Sequence, residues 1–250
     1  MTAQIPDYLL AFESTVRPLV AAIALSLIWA GAARMRAPTR SRYTIAGALS
    51  AVLIAWLAVA QHLGSANTYF ATTETAVPTV LFGLLIPLIA AAIGFRLSGR
   101  IARLVSAIPL PLLVAAQAFR VGGVIFLVLL ADGRLPWQFA LPAGIGDVST
   151  GLFAVVVASS LAQKAAGARR AAYAWSLFGI ADLVVAIAMG AMTSPGRAHL
   201  LALAAPNLLI SSYPLVMIPT FAVPLALMLH GIVLWRLRRE AVPTGQLALA

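Results

Sequence analysis

The chain has 250 residues, of which 62% are hydrophobic and 10% are charged, with a net charge of +10 and no cysteine. Soluble domains carry about 25% charged residues, so this composition excludes a soluble globular protein and indicates an integral membrane protein. The lack of cysteine excludes disulfide bonds, a thiolate nucleophile and Cys-ligated metal centres. The basic residues lie in short segments between apolar runs, as in membrane proteins, so no nucleic-acid partner is predicted.

Seven apolar stretches are long enough, at roughly 18 to 24 residues, to cross about 30 Å of hydrocarbon as helices. They lie at 16–33, 43–63, 76–95, 108–131, 142–162, 171–193 and 213–235. We therefore predict an all-α, polytopic membrane bundle with a seven-helix transmembrane domain at 16–235. An interfacial segment at 1–15 precedes it, and a disordered cytoplasmic tail at 236–250 follows it.

The charges between the spans alternate from one side to the other. Thirteen of the 17 basic residues fall on one side, at 34, 36, 40, 42, 96, 100, 103, 164, 169, 170, 236, 238 and 239. By the positive-inside rule this side is cytoplasmic, so the N-terminus lies outside and the C-terminus inside. The lipid bilayer is the predicted partner, with anionic lipids at the basic loops.

Three potential metal ligands belong to the predicted outer side, namely His62, Glu74 and His199. Their spacing matches no ligand motif, so no metal is predicted, and a site built from these three residues is the weak alternative. The apolar segment at 199–212 is too short to cross the membrane. We predict that it is a re-entrant or surface segment held by Asn207.

Three charged residues fall inside predicted spans, namely Arg120, Asp147 and Asp182. A charge at the centre of a membrane helix costs about 2.5–3.5 kcal/mol on insertion scales, so it persists where it faces the bundle interior. Gln117 shares a helix face with Arg120. Small residues accompany each aspartate and let helices approach closely, namely Gly144 and Gly151 around Asp147, and Gly179 and Gly190 around Asp182.

Counting residues along the spans predicts how deep each charge lies. Arg120 and Asp182 are each about 11 residues from the outer ends of their spans, or about 16 Å, whereas Asp147 is about five residues in, or about 8 Å. On depth, Asp182 is the predicted partner of Arg120. Asp147 is then the unpaired carboxylate near the outer water, where it can exchange protons. The alternative is that all three residues form one structural ion-pair cluster.

Motifs for catalysis are largely missing. The chain has no HExxH, GxSxG, GxxxxGK[ST] or GxGxxG pattern, and its one lysine, Lys164, lies in a loop, which excludes a retinal Schiff base. Gly144 to Asp147 resembles the GxGD signature of intramembrane aspartyl proteases, although Asp182 follows this aspartate rather than preceding it. Such a protease is a minor alternative, and no enzymatic activity is predicted.

The last span is interrupted by prolines. Pro219 and Pro224 remove helical hydrogen bonds and predict a hinge, and His230 follows within the same span. The counterpart histidine, His62, is near the opposite face, so the two cannot ligate one iron. No cofactor is predicted, and a haem or other chromophore held by His230 alone stays open as an alternative.

Several of these residues recur in a pattern. The combination of QAFR at 117–120, GRLP at 133–136, Asp147 four residues before Gly151, and YPLVMIPTFAVPLALMLHGIVLWRL at 213–237 is similar to a family of uncharacterised bacterial multi-pass membrane proteins. The resemblance implies Gln117, Arg120, Asp147 and His230 as signature positions, and a location in the bacterial cytoplasmic (inner) membrane. It implies no activity.

Two function classes follow from these patterns. The first is proton-linked transport or channel-like permeation of a small solute, with Asp147 as the outer proton acceptor, Arg120 and Asp182 as a charge-paired gate, and the proline-broken last helix as the moving element. The second is a non-transport membrane subunit or sensor, in which the charges are structural. In either class the chain could form a homo-oligomer or join a membrane complex.

Overall fold

The computed structural model describes residues 5–74 and 77–239, and these parts consist of helices, turns and connecting segments. Seven helical segments are long and apolar enough to cross a membrane. They are Asp7–Arg34, Thr39–Ser65, Val80–Leu97, Leu110–Ala131, Trp137–Ala162, Ala168–Thr193 and Ile218–Arg239. The prediction of an all-α protein with seven long apolar helices is confirmed.

The ends of the first and last spans differ from the prediction. Helix α1 runs without a break from Asp7 to Arg34, so residues 7–15 are the first turns of this helix and not a separate segment. The last span begins at Ile218 with a single π turn and continues as α9 to Arg239, three residues beyond the predicted start of the tail at 236. Residues 1–4 and 240–250 lie outside the described parts.

A short amphipathic helix, α4 (Gly99–Ala107), follows α3 (Val80–Leu97) where the sequence analysis placed only a basic loop. The Ser98 hydroxyl caps it by accepting a hydrogen bond from the Ile101 N–H at 3.4 Å. Its apolar face packs closely on α1, because a Cβ atom added at Gly31 would lie 2.8 Å from the Leu104 carbonyl oxygen. The sequence analysis missed this helix because nine residues are too few to show a clear helical periodicity next to a long apolar span.

The fourth span changes its helical geometry halfway along. Its three parts are α5 (Leu110–Ala115), a 3₁₀ segment (Ala116–Gly123) and α6 (Val124–Ala131). A 3₁₀ helix has three residues per turn, and runs longer than three or four residues are uncommon. Residues spaced by three therefore lie on one line, and Gln117, Arg120 and Gly123 are all buried on that line.

The remaining long helices are α2 (Thr39–Ser65), α7 (Trp137–Ala162) and α8 (Ala168–Thr193). The bundle has two unlike ends. We call the end with the basic residues, where α1 and α9 finish, the basic end, and the end formed by the connections after α2 and after α8 the loop end. At the loop end the Ala71 N–H donates to the Ser211 hydroxyl at 3.2 Å, which joins the two connections.

Asn207 organises the connection after α8. Its side chain is fully buried, its backbone N–H donates to the Thr193 carbonyl at 2.8 Å, and its Oδ1 accepts from the Ile210 N–H at 3.2 Å. These bonds fold the connection back onto the end of α8. Asn207 thus holds the segment at 199–212, as the sequence predicts. That this segment enters the membrane stays a prediction.

The break in the last span is braced by α2. Pro224 has no N–H, so it cannot donate the helical hydrogen bond to the Thr220 carbonyl. The Trp56 indole N–H donates to this carbonyl at 3.2 Å, and its ring lies 4.8 Å from the Phe221 ring. The side chain of one span therefore replaces a backbone bond lost in another, since a buried carbonyl needs a donor.

Replacing Trp56 by phenylalanine tests this brace. The ring contact is retained and the hydrogen bond is lost, so we expect the free energy of unfolding to fall by about 1–3 kcal/mol. Equilibrium unfolding of the detergent-purified protein measures the loss. Trp29→Phe is the matched control because Trp29 is 43% exposed. Equal losses in the two variants would contradict the assigned role of the indole N–H.

Candidate functional site

Arg120 lies at the centre of the bundle and is only 3% exposed. Its Nε donates to Asp147 Oδ1 on α7 at 2.7 Å, and its Nη2 donates to Asp182 Oδ2 on α8. Its Nη1 donates to the Gly179 carbonyl at 3.2 Å and lies 3.3 Å from His230 Nε2 on α9. One guanidinium therefore joins three helices to the 3₁₀ segment. We call Arg120, Asp147, Asp182 and His230 the charge cluster.

The prediction that Asp147 is unpaired was wrong. Its premise was a span starting at 142, which placed Asp147 only five residues deep. The helix begins at Trp137, so Asp147 lies ten residues in, or about 15 Å. This depth is close to that estimated for Arg120, and both aspartates are consequently within reach of the guanidinium.

His230 completes the charge cluster. It is fully buried, and its Nδ1 lies 3.4 Å from the Ser176 hydroxyl. Arginine has donors and no acceptor, so His230 Nε2 must accept from Arg120, and the imidazole is neutral with its proton on Nδ1. The Trp175 ring covers the imidazole at 4.8 Å. Both ring nitrogens of His230 therefore have partners within the bundle, and the alternative of a haem held by His230 gains no support from these contacts.

Gln117 ties the 3₁₀ segment to α9. It is fully buried, and its Nε2 donates to the Ala226 carbonyl at 2.9 Å, one turn before His230. Its Oε1 is buried and has no hydrogen-bond partner among residues 5–74 and 77–239. Gln117 and Arg120 thus both contact α9 from one line of the 3₁₀ segment, as their spacing of three residues requires.

The glycines of the predicted stripes differ in how closely they are packed. A Cβ atom added at Gly144 would lie 2.7 Å from the Leu127 side chain, and one added at Gly151 would lie 2.6 Å from the Val121 backbone nitrogen. A Cβ at Gly179 would overlap His230. A Cβ atom added at Gly190, by contrast, would contact only the Phe139 ring, at an ordinary van der Waals distance of 3.6 Å.

Four further residues shape the cluster, although they are not among the candidate site residues of the sequence analysis. A Cβ atom at Gly146 would overlap Asp182, and one at Gly123 would overlap Asp147. Ser176 and Trp175 contact His230 as described above. The sequence offers a signal for the two glycines, because Gly146 directly precedes Asp147 and Gly123 lies one turn after Arg120. It offers no comparable signal for Ser176 and Trp175.

Asp147 lines two cavities. The first, of about 80 Å³, extends from the loop end into the bundle, and its walls include Tyr69, Phe126, Phe139 and Ser211. We call it the loop-end cavity. The second, of about 50 Å³, lies between α1, the 3₁₀ segment and α9 and reaches Arg120. A cavity needs only about 10–15 Å³ to hold a water molecule, so both are roomy enough for water.

Two alternatives find no support in this geometry. In the described parts of the chain, no group of three or more His, Cys, Asp or Glu residues could hold a metal ion, so His62, Glu74 and His199 do not form the weak metal site. An aspartyl protease needs two carboxylates that share a proton across a peptide bond. Here each carboxylate is bonded to the Arg120 guanidinium and not to the other carboxylate.

Replacing His230 by phenylalanine is expected to lower the free energy of unfolding by about 1–3 kcal/mol, because an Arg120 N–H and the Ser176 hydroxyl lose a buried partner. Thermal unfolding followed by tryptophan fluorescence measures this change. His62→Phe serves as the control, since His62 is exposed on α2. A His230→Phe variant as stable as the wild type would show that these contacts contribute nothing.

The comparisons with known proteins concern the same region. The family model described as Domain of unknown function (DUF8737) matches residues 75–238, which is more than half of the chain and includes the whole charge cluster. No curated protein and no solved structure matches the chain. An uncharacterised family is what the sequence resemblance implies. The chain belongs to this DUF8737 family.

Proposed function

We propose that the protein is a proton-linked membrane transporter of a small solute and that the charge cluster is its proton-binding site. The observation that carries the proposal is a charge imbalance within reach of a cavity. With both carboxylates ionised, Arg120, Asp147 and Asp182 sum to a net charge of −1, and His230 adds none. An uncompensated charge in a low-dielectric interior is costly, and a bound proton removes it.

The loop-end cavity supports access to this site. Asp147 lines it. From the positive-inside rule we expect the loop end to lie on the outer side of the membrane. Protons from the outer water can then reach Asp147 through water in the cavity. Asp147 keeps the role of outer proton acceptor that the sequence predicts, although it is paired with Arg120.

The contacts to α9 link protonation to movement. A proton on Asp147 weakens its bond to Arg120 Nε, which leaves Asp182 as the remaining charged partner. Arg120 also contacts His230, and Gln117 contacts the Ala226 carbonyl, so displacement of the 3₁₀ segment is transmitted to α9. The π turn with Pro219 lets the start of this span bend at low cost.

Proton flux into proteoliposomes tests the proposal. A membrane potential that drives protons inward is imposed with a potassium gradient and valinomycin, and a pH-sensitive dye is trapped inside. We expect flux above that of empty liposomes and at least a tenfold loss in Asp147→Asn, which remains folded. Asp132→Asn is the control, since Asp132 is an exposed carboxylate bonded to Tyr8. Wild-type flux equal to that of empty liposomes would refute the proposal.

A second candidate is a non-transport subunit or sensor in which the cluster is structural. The observation in its favour is that the Arg120 guanidinium makes four hydrogen bonds and joins three helices. On this reading the basic end meets anionic lipid headgroups or a soluble partner. The same liposome experiment separates the two candidates, because a structural cluster predicts no wild-type flux and loss of folded protein in Asp147→Asn.

A further inference from the structure

We infer that the loop-end cavity binds a small organic ammonium ion, and that this ion is the transported solute. The second clause rests on the proposed function, whereas binding itself does not. The cavity has one end at the connections after α2 and α8 and the other at Asp147. Three independent features of its wall select this class of ligand, namely its charge, its aromatic surface and its size.

Charge selects a monovalent cation. Asp147 is the one charged residue of the cavity wall within the described parts of the chain. Its Oδ1 is bonded to Arg120, but its Oδ2 accepts no hydrogen bond from any described residue. The charge cluster has a net charge of −1 while both carboxylates are ionised, so a single positive charge in the cavity balances it. Anions are repelled, and divalent cations leave an excess charge in the bundle.

Aromatic rings select an organic cation over a bare metal ion. Tyr69, Phe126 and Phe139 all line the cavity, and the two phenylalanine rings meet edge to face at 5.2 Å. The faces of such rings attract ammonium groups, and most strongly where water is excluded. Tyr69 is 5% exposed and its ring packs against α3 at Gly83. It lines the cavity at the loop end, away from Asp147.

Size and polarity exclude larger and more polar solutes. The cavity volume is about 80 Å³, roughly half of the ~150 Å³ apolar cavity that holds benzene. The hydroxyls of Ser194 and Ser211 in its wall already donate to the carbonyls of Asn207 and Leu208. A sugar or an amino acid would lack the hydrogen-bond partners it needs, whereas a compact alkylammonium ion needs few.

Tetramethylammonium is the probe, because it is a compact alkylammonium ion whose charge does not depend on pH. The purified full-length protein is titrated with its chloride salt, and unfolding temperature is followed by tryptophan fluorescence. Sodium chloride at equal concentration controls for ionic strength. tert-Butanol, a neutral molecule of the same shape, controls for apolar filling. We expect tetramethylammonium alone to raise the unfolding temperature in a saturable manner.

Two pairs of variants locate the site. Tyr69→Leu should weaken the apparent Kd for tetramethylammonium by about 3- to 10-fold, whereas Tyr69→Phe, which keeps the ring, should leave it unchanged. Ala186→Phe should abolish binding because Ala186 lines the cavity. Ala181→Phe, placed on the exposed side of the same helix, should not affect it.

The outcomes separate this inference from the proposed function. An equal effect of tert-butanol, no saturable shift with tetramethylammonium, or full binding by both Tyr69→Leu and Ala186→Phe would overturn the binding site. Proton flux measured on the same preparations addresses the transporter. Flux without tetramethylammonium binding overturns the inference alone. Tetramethylammonium binding without proton flux supports the ammonium site and refutes the proposed transport function.

Discussion

Replacing Arg120 by methionine is expected to lower the free energy of unfolding by about 3–5 kcal/mol, enough to leave little folded protein. The guanidinium holds two carboxylates, a carbonyl and an imidazole from three helices. Removing it leaves Asp147 and Asp182 buried beside each other without a cation. Size-exclusion chromatography and unfolding in mixed micelles measure the folded fraction and the loss of stability.

Removing the negative charges as well should restore most of this loss. In the triple variant with Arg120→Met, Asp147→Asn and Asp182→Asn, no charge remains in the cluster, and replacing a whole buried ion pair is often nearly neutral. Arg197→Met is the single-charge control, because Arg197 is exposed at the loop end. A triple variant as unstable as Arg120→Met would show that the loss comes from packing rather than charge.

Replacing Gly151 by valine is expected to cost about 3 kcal/mol, at the upper end of the range for overpacking. A Cβ atom at this position would lie 2.6 Å from the Val121 nitrogen and 3.1 Å from the Arg120 carbonyl carbon. Both are backbone atoms, which cannot rotate away as a side chain does. The 3₁₀ segment must therefore shift and carry Arg120 away from its partners.

Gly47→Val is the matched control for this variant. Gly47 also lies within a long apolar helix, but a Cβ atom added there meets nothing within 4 Å. The stabilities of the two variants are compared by unfolding in mixed micelles, and proton flux is compared in liposomes. We expect Gly47→Val to match the wild type in both measurements. Equal losses for the two variants would mean that valine acts through helix propensity and not through contact with the 3₁₀ segment.

The location of His230 shows where counting along the sequence fails. The predicted span ended at residue 235, which put His230 five positions from that end. The helix continues to Arg239, so His230 lies nine residues from its end and reaches Arg120. Span ends depend on capping and on contacts with neighbouring helices, so a few residues of error change which groups meet.

The sequence by itself determined the properties that follow from composition and period. These are the all-α fold, the seven long apolar helices and membership of an uncharacterised family. They could be predicted because hydropathy is a local property, and because each span is far longer than the error in its ends. The small residues beside the charges likewise predicted that the helix faces carrying these charges turn towards the bundle interior.

Only the tertiary structure decided which groups meet. It placed Asp147 and Asp182 on the same guanidinium, added His230, and showed that the middle of the fourth span is a 3₁₀ segment. The physical reason is that a buried arginine must satisfy its donors from whatever helices surround it. The local geometry of the fourth span follows from that packing, and no pattern along a single helix contains it.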